Sequence, residues 1–174
     1  MKNLIIYGSQ YGTTKRYAEK FAQMTGIPVI SCEDIKELAE YQQIIYFGGL
    51  YAGGVKGLKK FIKLLKKDIK VVLVTVGLAD VCDKENTDNI KNSIRQQVPE
   101  RIMKNMTVFH LRGGIDYGKL NFIHKTMMTL LYNKVKNLPE EKKTAEVKAM
   151  IDTFNQKVDF VDYDSLKPIV EEIQ

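Results

Sequence analysis

The stretch Ser9-Gln10-Tyr11-Gly12-Thr13-Thr14-Lys15 packs three aliphatic hydroxyls and a glycine between an apolar run and a helical pattern. Hydroxyl donors, backbone amides around a glycine and a helix amino terminus together make a nest for a phosphate. The helix dipole supplies part of the positive charge, so uncharged donors suffice for such a cradle. The stretch has neither GxGxxG nor GxxxxGK[ST], which excludes a dinucleotide fingerprint and a Walker A loop and leaves a phosphomonoester. The competing reading is an ordinary helix capped by its own hydroxyls.

Two more stretches favour the nest. Gly48-Gly49-Leu50-Tyr51-Ala52-Gly53-Gly54 reads as a loop of four glycines and an aromatic, which lets backbone approach a flat ligand while Tyr51 offers a ring. Gly77-Leu78-Ala79-Asp80 can supply the opposite wall. Each of the three follows a short apolar run, and together they suit a planar cofactor that bears a phosphate.

Those runs, at 4–7, 44–47, 71–76 and 108–111 with a weaker one at 27–31, are apolar on both faces. Strands of that kind are covered on each side, as in parallel sheets. Helical patterns over 14–24, 34–40, 55–67 and 87–97 alternate with them, and the alternation predicts one doubly wound sheet. Ligands of such sheets sit beyond the carboxyl ends of the strands, where strand order reverses. The rest of the chain predicts helices at 121–135, 140–155 and 165–173, an extended piece at 157–162, and Asp164 or Ser165 as the cap of the last helix. With no repeat and no linker, residues 1–174 are expected to form one domain with a helical insertion at about 113–156.

The 174 residues are 44% apolar and carry a net charge of +6. Cys32 and Cys82 sit in no ligand pattern, so no metal site is expected and both read as buried bystander thiols in a reducing compartment. No apolar run reaches about 18 residues, and the amino terminus lacks a signal-peptide pattern, so a cytoplasmic protein is expected. The lysines of 56–70 alternate with apolar residues as on a helix with one wet face, the alternative being an anion- or membrane-binding face. A nucleic-acid module would leave the three loops without a purpose. A receiver domain needs an acidic cluster after the first strand, and a low-molecular-weight phosphatase needs a cysteine there; neither is present.

The run Ile5-Ile6-Tyr7-Gly8-Ser9-Gln10-Tyr11-Gly12-Thr13-Thr14-Lys15-Arg16-Tyr17-Ala18-Glu19-Lys20-Phe21 resembles the flavodoxin signature: an apolar pair, an aromatic, then Ser-x-x-Gly-x-Thr-x-x-x-Ala. It departs only at Phe21, where the pattern prefers an aliphatic residue. The resemblance implies an α/β flavodoxin-like fold, a doubly wound five-stranded parallel sheet in the order 2-1-3-4-5. It also implies flavin mononucleotide (FMN), with the phosphate on Ser9, Gln10, Tyr11, Gly12, Thr13 and Thr14. The ring would lie between Gly49, Leu50, Tyr51, Ala52 and Gly53 on one side and Gly77, Leu78, Ala79 and Asp80 on the other.

Gly113-Gly114-Ile115-Asp116-Tyr117, the insertion behind it, and Val158-Asp159-Phe160-Val161-Asp162-Tyr163 are similar to the menaquinone-dependent protoporphyrinogen dehydrogenase branch of that family. There the flavin takes electrons from a porphyrinogen and passes them to a quinone. Tyr51-Ala52 and Asp116-Tyr117 both stand where that branch reads Arg-Tyr, so two arginines suited to carboxylates are replaced. Arg112, Asp116 and Tyr117 are expected near the flavin edge as substrate contacts. No catalytic acid, base or nucleophile is expected from the protein, because the flavin is the reactive group.

Two functions stay open: an oxidoreductase acting on a small molecule, with a quinone as partner, and an electron carrier that docks on redox proteins. Flavodoxin carriers are typically acidic, so the net charge favours the first. In the insertion, Leu120, Phe122, Ile123, Met127, Met128, Leu130, Leu131 and Val135 form an apolar face edged by Lys119, Lys125, Lys134 and Lys136. Either the 120–135 helix packs on its own domain, or it is a lid or a membrane-surface patch that holds the protein peripherally at the inner membrane face. His110 and His124 read as packing residues.

Overall fold

Successive residues of the central strands face opposite ways, and here both directions lead into apolar cores. Leu4 and Ile6, Ile44 and Tyr46, and Val71 and Leu73 enter one core with Leu58, Phe61, Ile90 and Ile94. Ile5, Ile45, Phe47, Val72 and Val74 enter the other with Tyr17, Ala18, Phe21 and Ile169. The computed structural model describes residues 2–51, 53–65 and 69–174.

In chain order the elements are β1 (Asn3–Gly8), α1 (Thr13–Thr25), β2 (Val29–Ser31), β3 (Gln43–Tyr51), β4 (Gly54–Val55), α2 (Leu58–Leu64) and β5 (Lys70–Gly77). There follow α3 (Lys84–Gln97), α4 (Glu100–Met103), β6 (Met106–Arg112), β7 (Gly114–Asp116), α5 (Phe122–Val135), α6 (Ala145–Asp152), β8 (Lys157–Asp159) and α7 (Lys167–Glu172). The parallel strands lie in the order β2-β1-β3-β5-β6, with β4 added antiparallel to β3. Counting parallel strands alone, this is the expected order 2-1-3-4-5. β1 lies between β2 and β3, so strand order reverses at its carboxyl end, directly before the hydroxyl-rich stretch.

The expected helix at 34–40 does not form. Cys32 N–H donates to Tyr7 O at the carboxyl end of β1, and Gln42 N–H donates to Lys2 O at its amino end. The connection therefore retraces a strand of six residues, about 20 Å at ~3.3 Å per residue. About ten residues of helix would advance only ~15 Å, so the segment runs extended while Ile35 and Leu38 still drop into the core.

Residues 48–51 are strand rather than loop. β3 continues through Tyr51 and turns back into β4, pairing Leu50 with Val55 and Tyr51 with Gly54. Its glycines serve close packing: a Cβ on Gly48 would lie 2.1 Å from Val55 Cγ1, and one on Gly49 would lie 2.9 Å from Thr14 Oγ1. α2 consequently starts at Leu58 rather than 55, after Gly57 at φ 77°, and the expected helical residues 66 and 67 lie outside the described residues.

Beyond β6 the chain builds a third core from Ile115, Tyr117, Leu120, Met128, Val135 and Met150. β7 and β8 pair antiparallel beneath it. The helix expected at 140–155 is shorter, because Pro139 opens a separate 3-10 turn at Glu140–Lys142 and Thr144 then caps α6 by accepting from Val147 N. The cap near 164 is Asp162, which accepts from Asp164 N and opens a 3-10 turn before α7. Cys32 is buried as expected, but Cys82 is exposed on the turn before α3.

Leu73 is fully buried at the centre of β5. Leu73→Ala should lower unfolding stability by about 2–5 kcal/mol, the cost of lost transfer and a residual cavity, measured by denaturant unfolding.

Candidate functional site

α1 has no side-chain cap among the described residues. Its N-cap is Gly12 in the left-handed region at φ 94°, and no side chain bonds the first-turn amides. A helix start leaves its leading N–H groups without internal partners, and the hydroxyls that might have capped them are turned elsewhere. Ser9 Oγ accepts from Gly12 N at 3.1 Å, which leaves the Ser9 hydroxyl proton to donate outward. Thr13 Oγ1 donates to Gly114 O at 2.9 Å, so Thr13 offers its amide rather than its hydroxyl. Thr14 is buried, with its hydroxyl against Gly49. The ordinary capped-helix reading is thereby excluded.

The donor set therefore comprises first-turn amides, the Ser9 hydroxyl and a helix dipole at a strand-order reversal. That chemistry fits a phosphomonoester. Charge is also present: Lys56 Nζ donates to Gln10 Oε1, which brings a lysine of the 56–70 run to the rim of the bend. Lys59 and Lys60 line an open groove of about 580 Å³ with Gln10, Tyr51, Lys56 and Gln97; it meets the bend only at Gln10 and takes in neither the α1 amino terminus nor the 77–80 wall.

The two stretches expected as walls lie side by side. Leu50 and Tyr51 end β3, and a Cβ on Gly77 would lie 2.7 Å from Leu50 Cδ1, so the walls touch there. Gly53 forms the tip at φ 77° and its carbonyl accepts from Ser93 Oγ at 2.8 Å. Ala52 lies outside the described residues. On the other side Ala79 is buried, and Asp80 turns into its own loop, where Oδ1 accepts from Cys82 N at 2.9 Å. Among the described residues no group of histidine, cysteine, aspartate and glutamate is placed to hold a metal ion.

A match to the family model of the flavodoxin domain covers residues 4–143. The chain belongs to the flavodoxin-domain family. A search of curated proteins finds no match. Among solved structures the chain is similar to a flavoprotein from Lactobacillus acidophilus in complex with FMN, at 14% identity over 64% of this chain and 91% of that one, TM-score 0.47. It is also similar to a flavodoxin variant from Pseudomonas aeruginosa, at 15% identity over 77% of this chain and 96% of that one, TM-score 0.39.

In this flavodoxin domain the insertion reaches the hydroxyl-rich stretch and the Gly77–Asp80 wall. Tyr11 donates to Met128 Sδ at 3.3 Å and sets its ring edge-on to His124 and Tyr51. Gln10 Nε2 lies 2.8 Å from His124 Nε2. Glu146 accepts from the amides of Leu78 and Ala79. Sequence reasoning did not assign Lys56, His124, Met128 or Glu146 to the site; the 56–70 lysine run and the apolar face of the 120–135 helix were the signals for Lys56 and Met128, and each of the four is far in sequence from its partner.

Arg112, Asp116 and Tyr117 find partners within the chain. Arg112 Nε donates to Leu78 O at 2.9 Å, and its guanidinium lies 3.7 Å from the centre of the Phe160 ring. Asp116 accepts from Gly118 N and pairs with Lys157. Tyr117 is buried edge-on to Phe154, and its hydroxyl has no partner among the described residues. His110 is a packing residue: Nδ1 lies 2.7 Å from Thr75 Oγ1, and burial, helped by Lys91, lowers its pKa.

Burial pushes the Tyr11 phenol from 10.0 up to about 12, with Tyr51 and Tyr117 adding to the shift. Burial alone takes Tyr117 to about 12. The folded state keeps protons that the unfolded state loses, so these groups stabilise fully below pH 10.0 and lose that contribution as pH rises to about 12. Tyr11→Phe should flatten the alkaline fall in stability over that window, measured by denaturant unfolding at stepped pH; an unchanged slope would contradict the burial of Tyr11.

Proposed function

We propose that the chain binds FMN, with the phosphate at Ser9–Thr14 and the ring between the Gly49–Gly53 and Gly77–Asp80 walls, and that it is an oxidoreductase linked to a lipid-soluble quinone. The observation that carries the reading is the uncapped α1 amino terminus at the strand-order reversal. Membership in the flavodoxin-domain family supports it. When bound, the flavin supplies one- and two-electron transfer. The chain's own residues orient and shield it. First-turn amides, that of Thr14 among them, and the Ser9 hydroxyl hold the phosphate end, Lys56 adds positive charge beside Gln10, and Tyr51, Leu50 and Leu78 exclude water from the ring.

A carrier needs an open ring edge for docking. Here Tyr11 and Leu78 pack under the insertion, which favours a small-molecule partner over a redox protein. The outer face of α5 supports a quinone. Phe122 is 84% exposed, Ile123 66% and Leu130 65%. Lys119, Lys125, Lys134 and Lys136 flank them, and no aspartate or glutamate occurs between Asp116 and Glu140. An apolar stripe in a basic frame suits an anionic lipid surface. No described helix is long and apolar enough to cross a membrane, so the contact we propose is peripheral. A porphyrinogen donor, suggested by the likeness to the protoporphyrinogen dehydrogenase branch, would have to be held without Arg112, which is engaged by Leu78 and Phe160.

Purified protein should quench added FMN fluorescence. Ser9→Ala should weaken that binding by about 1–3 kcal/mol, and unchanged affinity would remove the phosphate assignment. The chain should co-sediment with vesicles containing phosphatidylglycerol, less at high salt and not with pure phosphatidylcholine. Phe122→Ser with Ile123→Ser should abolish the association. Flavin-loaded protein should turn over a soluble menaquinone analogue, with protoporphyrinogen tested as donor. Slow reaction with every small acceptor beside fast exchange with a redox protein would instead make it a carrier.

A further inference from the structure

Glu146 sits in the first turn of α6 and reaches the carboxyl end of β5. There Oε1 accepts from Leu78 N at 2.8 Å and Oε2 accepts from Ala79 N at 3.0 Å. The carboxylate also fills the space over Gly77, where an added Cβ would lie 2.8 Å from Oε2. One ionised carboxylate on two consecutive amides is a charge-assisted pair, and each N–H has one proton to give. These amides belong to the wall assigned above to the flavin ring, whose pyrimidine edge carries carbonyl acceptors that need the same donors.

We propose that Glu146 is a displaceable internal ligand: it latches the insertion across the ring site, and FMN takes over the Leu78 and Ala79 amides as the latch opens. The inference rests on the FMN reading and adds to it the group that closes the site. The construction of the insertion fits such a role. It carries its own core, separate from the two that flank the sheet. α6 is entered through Pro139, a 3-10 turn and the Thr144 cap, so it can shift without unwinding. A glutamate in a first helical turn is favoured by the dipole whether or not it is latched, so release costs the two amide bonds and little of the helix.

The test measures FMN association with apo protein by stopped-flow quenching, for wild type, Glu146→Ala and Glu146→Gln, with Glu141→Ala as an exposed acidic control. Glu146→Ala should bind FMN about tenfold more tightly and faster, which corresponds to losing a modest competing bond pair. Glu146→Gln, with one carbonyl acceptor in place of two, should fall between, and it keeps the test alive if the alanine variant folds poorly. Glu141→Ala should match wild type. Hydrogen exchange on the flavin-free protein supplies a second readout: the Leu78 and Ala79 amides should be protected in wild type and lose protection in both Glu146 variants. If wild type binds FMN and the Glu146 variants bind it equally or more weakly, the latch is overturned while the cofactor assignment stands. If none of the proteins binds FMN, the cofactor assignment fails and the latch with it.

Discussion

The interaction on which the site depends is the one α1 does not make. A helix start with unpartnered amides is normally satisfied by a side chain of its own cap residue. Here the cap is Gly12, and the neighbouring hydroxyls are committed to Gly12 N and Gly114 O. The amides, the dipole and one serine proton are left facing outward. The surrounding packing preserves this: the carboxyl end of β1 is wedged against Lys56, whose carbonyl would lie 2.3 Å from a Cβ on Gly8 and accepts from the Tyr46 hydroxyl at 2.7 Å. Gly49 brings β3 down onto Thr14. The cradle and the first wall are thus parts of one packing arrangement.

The second structural feature is how the far end of the chain returns to that cradle. Tyr17 ties the two together: its hydroxyl donates to Arg112 O at 2.8 Å and accepts from Asp162 N at 3.0 Å. Arg16 reaches Asp159 at 2.9 Å from the same helix. Gly113 N donates to Gly77 O at 2.7 Å, so the entry to the insertion is stitched to the second wall. With its base held on both sides, the insertion must lie over the loop edge, and its apolar residues divide accordingly. Met128 and Val135 turn inward, while Phe122, Ile123 and Leu130 remain outside with the lysines. The loop edge of the sheet is covered by an element with one face packed toward the site and an apolar face left exposed.

Much of this was legible in the residue order. The apolar runs became β1, β3, β5 and β6 within a few residues, because strands buried on both faces leave a strong local signal. The hydroxyl stretch fell at the strand-order reversal, because alternation of strand and helix leaves few topologies. The errors share a cause. At 34–40 the composition favours a helix, yet the distance the chain must cover excludes one. At 48–51 the glycines suggest a loop, yet they permit a strand to touch Val55 and Thr14.

By itself, the order of residues determined the parallel strands β1, β3, β5 and β6, the hydroxyl- and glycine-bearing stretch that leads into α1, and that a basic, apolar helix follows the sheet; each of these is a property of neighbours along the chain. Tertiary structure alone decided that Lys56 reaches Gln10, that His124 and Met128 meet Gln10 and Tyr11, and that Glu146 takes the amides of Leu78 and Ala79. The glutamate lies 68 and 67 residues from those amides. A backbone N–H looks the same in every residue, so no local pattern can announce which carboxylate it will meet until the fold has brought the two together.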